Sequence, residues 1–326
     1  MADIYFTKNL ILNTEIIKKF IDFPKGCKVA VKMHMGEKGN KTCLRFEDVK
    51  PVVDALISLG LKPFIIDTPV AYSGGRFTCE DYYITAKENG FDEETIGCPI
   101  VISNDAFEVK TTHMDFQVCK EIYETNYMAV LSHVKGHVCA GFGGAIKNLS
   151  MGGATKKSKK DMHSLGKPKI IGDCKLCGLC VDRCPADAIK VSDKLEIDLD
   201  ACWGCGICVV NCPNNVLAPK VALIDELLAE GAWATVQNKE RVLYINMIKR
   251  ITHHCDCDCD SGKIIADDIG TLIGFDPVAI DQASLDLIHK GFEGIFIKEN
   301  YKDPQLQIDF SEKLGFGEKN YELKEI

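Results

Sequence analysis

Two runs of cysteine constrain this chain more than any other feature. Ile170–Pro185 carries Cys174, Cys177, Cys180 and Cys184, followed by Pro185. Asp200–Pro213 carries Cys202, Cys205, Cys208 and Cys212, followed by Pro213. Both read C-x2-C-x2-C-x3-C-P, with a constant offset of 28 residues (174 to 202, 184 to 212). Such a repeat marks a duplicated unit with pseudo-twofold symmetry. Three thiolates spaced two residues apart on a tight loop can each reach a different iron of one cubane. The fourth begins a helix and points toward the other half, so it ligates the other run's cluster. One [4Fe-4S] cluster is therefore expected on Cys174, Cys177, Cys180 and Cys212, and a second on Cys202, Cys205, Cys208 and Cys184. Zinc would call for two pairs of cysteines rather than two runs of four ending in proline.

Composition agrees with a metal reading. The chain has 326 residues, room for about two domains, and 17 of them are cysteine. The N-terminal MADIYFTKNL lacks the basic-then-apolar pattern of a secretory signal, and no run of 18 apolar residues could span a membrane. A cytoplasmic location is expected, where thiols serve metals more readily than disulfides. A net charge of −8 argues against a general nucleic-acid binder. The basic cluster Lys156, Lys157, Lys159 and Lys160 is either a solvated loop or a docking patch for an acidic partner or anionic substrate.

Outside the cysteine runs the pattern is α/β. Lys28–Met33 reads as a strand, Phe46–Leu59 as a helix stopped by Gly60, and Pro63–Asp67 as a second strand. That βαβ unit predicts a mostly parallel sheet. Asp67 then falls at a strand's C-terminal end, where such sheets hold ligands, and Thr68–Phe77 is a candidate binding loop or a plain turn. Ile100–Ser103, Tyr127–Val134 and Val242–Ile248 read as further strands, and Val221–Ala229 as a helix. Asp276–Leu287 reads as another helix, capped by Asp276 with Pro277 in its first turn. The expected organisation is an α/β domain in two parts, 1–167 and 218–326, interrupted by a small α+β insert at 168–217.

The segment HVKGHVCAGFGGAIKNLSMGG, His133–Gly153, leaves one of these strands. Gly141, Gly143 and Gly144 could gather backbone N–H groups into an anion- or phosphate-binding nest, or simply form a tight turn. Lys147 could complete an anion site or act as a nucleophile. His137 could move protons or bind metal, and Cys139 could be a thiolate ligand. In HHCDCDCD, His253–Asp260, an extended strand would put Cys255, Cys257 and Cys259 on one face and the aspartates on the other. That face could hold a soft metal or a third cluster; otherwise the segment is an acidic surface loop. Cys27, Cys43, Cys79, Cys98 and Cys119 lack ligand spacing and read as buried apolar residues.

Residues 168–217 resemble the bacterial two-cluster ferredoxin module, which implies low-potential electron transfer. H-x-x-x-G-F-G-G-A-x-K-N-L-x-M-G at His137–Gly152 resembles the signature of the domain of unknown function 362 family. Cys257–Asp260, DDIGTLIGFDPVAID from Asp267 and DPVAIDQASLDL at Asp276–Leu287 fit the same family, whose members often carry a ferredoxin insert or tail. His137–Lys147 is also similar to a segment of the nickel-pincer lactate racemase family. There the lysine anchors the pincer cofactor and the histidine moves protons. Gly143-Gly144-Ala145 departs from that family's Ser-Gly-Gly.

The expected function is that of an iron–sulfur reductase. The insert would feed electrons from a redox partner protein to an α/β cleft acting on a small anionic substrate or metal centre, with His137 and Lys147 at work there. The alternatives are an electron carrier or maturation partner without its own substrate, and a metal-handling protein. Neither nucleic acid nor membrane is an expected partner.

Overall fold

A computed structural model describes all 326 residues. Eight strands form its main sheet: β1 (Ala2–Thr7), β2 (Lys28–Lys32), β3 (Lys62–Asp67), β4 (Ile100–Ile102), β5 (Tyr127–His133), β6 (Arg241–Ile248), β7 (Gly270–Gly274) and β8 (Tyr321–Glu325). The spatial order is β8-β1-β7-β6-β5-β2-β3-β4. Only β7 runs against its neighbours; every other pairing is parallel. The α/β class and mostly parallel sheet read from the sequence are what the structure has.

The strands are apolar on both faces, as a sheet covered by helices on both sides requires. Met128 and Val130 of β5 pack into one core, and Ala129 and Leu131 into the other. Helix α1 (Phe46–Ser58) covers the second face through Val49, Val52, Val53 and Leu56. It ends where Gly60 adopts φ +77°, a conformation that suits a residue without Cβ. The first face is covered by α2 (Ala145–Gly153), α3 (Ile224–Val236) and α4 (Pro277–His289). Asp276 caps α4, accepting from the N–H groups of Val278 (2.8 Å) and Ala279 (2.9 Å).

The chain leaves this sheet after the helix Lys156–Leu165 and returns just before α3. The strand Pro168–Ile170 pairs antiparallel with Leu217–Pro219, so both ends of the excursion meet at one neck. The four-residue helices Leu179–Asp182 and Ile207–Val210 and the hairpin Ile189–Val191 with Leu195–Ile197 lie between them.

Asp281, at the second turn of α4, fixes how α2 meets the sheet. Its carboxylate accepts from Ala145 N (2.7 Å), Ile146 N (2.9 Å) and Asn246 Nδ2 (2.8 Å). It satisfies the N-terminus of α2 and ties it to β6. A Cβ on Gly144 would stand 2.3 Å from Asp281 Oδ1. Gly144→Ala is expected to lower unfolding free energy by about 2 kcal/mol in urea titrations. A variant as stable as the parent would show that this approach is not tight.

Candidate functional site

Four parallel strands, β2, β3, β5 and β6, end side by side, and the chemistry-bearing side chains come off those ends. His133 closes β5. Its Nδ1 meets Asp256 Oδ2 (2.9 Å) and its Nε2 meets the Lys249 carbonyl just after β6 (2.6 Å). Lys135 donates to the same Asp256 oxygen at 2.5 Å. Burial alone would raise the Asp256 carboxyl pKa; His133 and Lys135 override it and hold the group well below the usual range.

That arrangement corrects the reading of Cys255–Asp260. The segment is a turn, not an extended strand. Asp256 points inward, where the buried side chains of Lys135 and His133 bond its carboxylate, rather than facing solvent. Cys255 is buried and joined to Cys257 by a disulfide, and Cys259 is exposed. The three cysteines therefore do not share a face. A ring nitrogen of His137 takes the place expected for Cys259, lying within 4.8 Å of the Cys255 and Cys257 sulfurs.

The loop after β3 closes onto the same turn. Arg76, 1% exposed, pairs with Glu37 (2.9 Å) and donates to His34 Nε2 (2.6 Å), Tyr72 Oη (2.9 Å) and the Cys257 carbonyl (3.3 Å). Tyr72 Oη also donates to the Cys257 carbonyl (3.1 Å). Asp67, expected to face a ligand, is instead buried against Lys32 (3.0 Å) and accepts from Tyr82. The lysine cluster is not one patch either. It lies on a helix, where Lys157 pairs with Asp161 and Lys159 turns inward. The Lys159 amine, pushed down to about 7 by burial, donates to Thr68 Oγ1 and the Pro69 carbonyl, both at 2.6 Å. It clips the loop to the helix.

His137 and Lys147 reach the cleft from either side of the glycine segment. Nδ1 of His137 accepts the N–H groups of Cys139 and Ala140, each at 3.2 Å. Burial, then the nearby Lys147, keeps its imidazole neutral well below the ordinary histidine range. Lys147 is half-buried, and its amine has neither a hydrogen bond nor an ion pair within the chain. Burial, then Lys135 and Arg76, push it down to about 8. The glycines serve packing more than a nest. Gly141, at φ +75°, lets Lys302–Pro304 approach, and a Cβ there would lie 2.7 Å from the Lys302 carbonyl. The N–H groups that follow Gly144 are filled by Asp281. Gly143 lies beside the stem of Lys147.

The cysteine runs repeat in backbone as in sequence. Leu176 and Gly204, Gly178 and Gly206, and Asp187 and Asn215 all have positive φ, each pair at the same spacing as the cysteines. Leu176 N–H points to Cys174 Sγ and Gly204 N–H to Cys202 Sγ, both at 3.4 Å. Cys174, Cys177, Cys180 and Cys212 line one cavity. Burial, then the neighbouring sulfurs of Cys205, Cys202, Cys180 and Cys184, push the Cys208 thiol up to about 12, and Cys184 packs in the same cluster as Cys208.

The second run is seated on the α/β body. Cys139 does not face the cleft freely: it packs with Cys205 and Ile207 of the second run. Lys302 donates to the Cys205 carbonyl (2.9 Å) and pairs with Asp225 (2.6 Å), both side chains fully buried. His163 contacts the Trp203 carbonyl (2.7 Å). Of the unspaced cysteines, Cys43, Cys98 and Cys119 are buried, and Cys27 and Cys79 are half-exposed. Sequence reading gave no role to His34, Lys135 or Arg76 and turned Asp256 the wrong way. His34 and Lys135 each sit two residues past a strand end, while Arg76 lies in the loop after β3 and Asp256 in the turn after β6.

A parallel α/β body with a cationic cleft at its strand ends, and a cysteine-rich excursion seated beside it, defines the class. The chain belongs to the family described as Domain of unknown function (DUF362), which it matches over residues 29–286. No curated protein matches it. Among solved structures, the crystal structure of a Thermotoga maritima protein aligns with 94% of the chain at TM-score 0.43 and 11% identity. The lactate racemase apoprotein from Thermoanaerobacterium thermosaccharolyticum aligns with 76% of the chain at TM-score 0.35 and 11% identity. The chain spans 61% of the first protein and 51% of the second.

Lys147 gives a direct test of the cleft. Its amine should react with acetic anhydride along a titration centred near pH 8, while surface lysines follow their ordinary value of about 10.4. The sign follows from the cation: an anion held by Lys147 should be released as pH rises through about 8. A labelling midpoint near 10, read by peptide mass spectrometry, would place the amine in bulk water.

Proposed function

We propose that this chain is an iron–sulfur electron-transfer protein, and a reductase, whose insert delivers electrons to the strand-end cleft. Cys174, Cys177, Cys180 and Cys212 would hold one [4Fe-4S] cluster, and Cys202, Cys205, Cys208 and Cys184 the other. Bound there, the clusters supply low-potential one-electron transfer. The residues fit such groups: four sulfurs from two separated runs line one cavity, and backbone N–H groups point at sulfur. Positive φ at the paired positions brings the backbone close to where a cluster would sit.

One contact carries the link to the cleft. Cys205 of the second run packs against Cys139, which in turn donates its N–H to His137. The cleft's chemistry supports a small anionic substrate. Lys147 offers an unpaired amine, and Lys135 and Arg76 raise the local potential around it. His137, half-buried and held neutral, is suited to accept a proton. A carrier without its own substrate would have no use for an unpaired lysine in a cleft. Electrons would reach the insert from a redox partner protein.

Anaerobic purification should give about eight iron and eight sulfide per chain, with interacting reduced-cluster EPR signals after dithionite. Cys212→Ser should remove or alter the cluster of the first run, and Cys184→Ser that of the second. Iron-free protein carrying about two zinc ions would refute the reading.

A further inference from the structure

The two cysteine runs are alike in backbone and unlike in setting, and their offset of 28 residues lets them be compared position by position. Gly204 of the second run presses on the α/β body; its counterpart in the first run is Leu176. A Cβ on Gly206 would lie 3.1 Å from Leu223, whereas one on its counterpart Gly178 would meet nothing within 4 Å. Cys205 is buried, and its counterpart Cys177 is exposed. The second run therefore faces the body and the first faces outward. Leu176 is the odd residue of the set. It holds φ +55°, a conformation that bulky side chains rarely adopt, and it is 41% exposed. Packing within the chain does not account for a leucine there, and Gly204 shows that glycine satisfies the same turn. Strain kept at a surface position points to a use outside the chain.

We propose that the outward face of the first run docks a small acidic one-electron carrier protein, with Leu176, Ile170 and Ile171 as its apolar centre and Lys169, Lys175 and Lys220 as its basic rim. This deepens the electron-transfer reading above and rests on it. Ile170 pairs with Leu217 at the neck, and the Ile171 N–H donates to the Val216 carbonyl (2.9 Å). Val216 and Leu217 line the same cavity as Cys174 and Cys177. Ile170 and Ile171 are 49% and 59% exposed, so the apolar patch stands at the wall of that cavity and in contact with water. One electron leaves the reduced carrier and enters the insert there. No bond forms or breaks, and no proton moves.

Charge decides the kind of partner. Lys169, Lys175 and Lys220 are all exposed, and Lys169 Nζ donates to the Lys220 carbonyl (3.4 Å), so two of the three are direct neighbours. Asp173 is the one carboxylate between Lys169 and Cys177. The whole chain carries a net charge of −8, so this face reverses the sign of the molecule. The second run differs here too: Asp198 and Asp200 stand where the first run has Ile170 and Gly172. A basic face on an acidic protein steers an acidic carrier into one orientation and turns a basic one away. Electron-transfer encounters need only a small interface, a few apolar side chains within a charged rim.

The test uses a purified small acidic ferredoxin as carrier and basic cytochrome c as the control of opposite charge. Isothermal titration of the anaerobically isolated, oxidised protein reads binding without turnover. Stopped-flow reduction by the prereduced ferredoxin reads delivery, against dithionite, which needs no docking. Binding and delivery should both weaken about tenfold as salt rises from about 20 mM to about 500 mM. The triple variant Lys169→Glu, Lys175→Glu, Lys220→Glu should lose about tenfold in affinity yet be reduced normally by dithionite. Leu176→Gly should also weaken binding although it eases the backbone, whereas Trp203→Ala, at an exposed position of the second run, should not. Salt-independent binding, an equal loss in Trp203→Ala, or a preference for cytochrome c would overturn the proposal. So would a ferredoxin that does not bind at about 1 mM. Iron and sulfide counted on the same samples separate the two claims. Full iron with no binding at this face sinks the surface alone; iron-free protein whose binding still depends on the three lysines sinks the cluster reading alone.

Discussion

A carboxyl group buried as deeply as Asp256 would stay protonated if left alone, because taking its charge out of water costs far more than holding the proton. His133 and Lys135 remove that option. Both sit at the end of β5, while Asp256 sits beyond the end of β6, so their pairing fastens two neighbouring strand ends across the mouth of the sheet. This carboxylate anchors the turn carrying Cys255 and Cys257 from within. Arg76 and Tyr72 then close the loop after β3 onto that turn. Removing one partner would leave the other charge buried and uncompensated, which commonly costs about 3–5 kcal/mol.

The insert is seated by a second buried pair. Lys302 and Asp225 are both fully buried, and Lys302 also donates to Cys205. A lysine so placed is held by its acceptors rather than by water. The backbone at Gly204 comes so close to the α/β body that a Cβ would lie 1.9 Å from the His163 carbonyl. Only glycine satisfies both that approach and φ +67° at this position. The contact between the two parts is made by close backbone approach and by hydrogen bonds from Lys302, His163 and Asn211, and it brings Cys205 against Cys139.

The sheet was legible because its signals are local. Apolar runs of four to eight residues, the Gly60 stop and the Asp276 cap each act within a few residues, and each stands where sequence placed it. The repeat was legible because its spacing is constant. The cleft was legible only in part. His137 and Lys147 were visible in a compact segment. The partners that orient that segment come from residues 34, 76, 256, 281 and 302, distant in sequence, and periodicity carries no such information. The CDCDC reading failed for the same reason. Alternation predicts a strand only where no long-range charge pair overrides it, and Lys135 with His133 overrode it at Asp256.

The charges around the cleft show why Lys147 should be the group that meets a ligand. Lys32 is spent on Asp67, Lys135 on Asp256, Arg76 on Glu37 and Lys159 on loop oxygens. Each is satisfied and would have to break a bond to bind anything else. Lys147 stands among them with no partner, and their residual field lowers its affinity for its proton. An incoming anion would relieve that repulsion without disturbing any existing pair. Lys147 lies two residues along α2 from Ala145, whose N–H Asp281 already accepts.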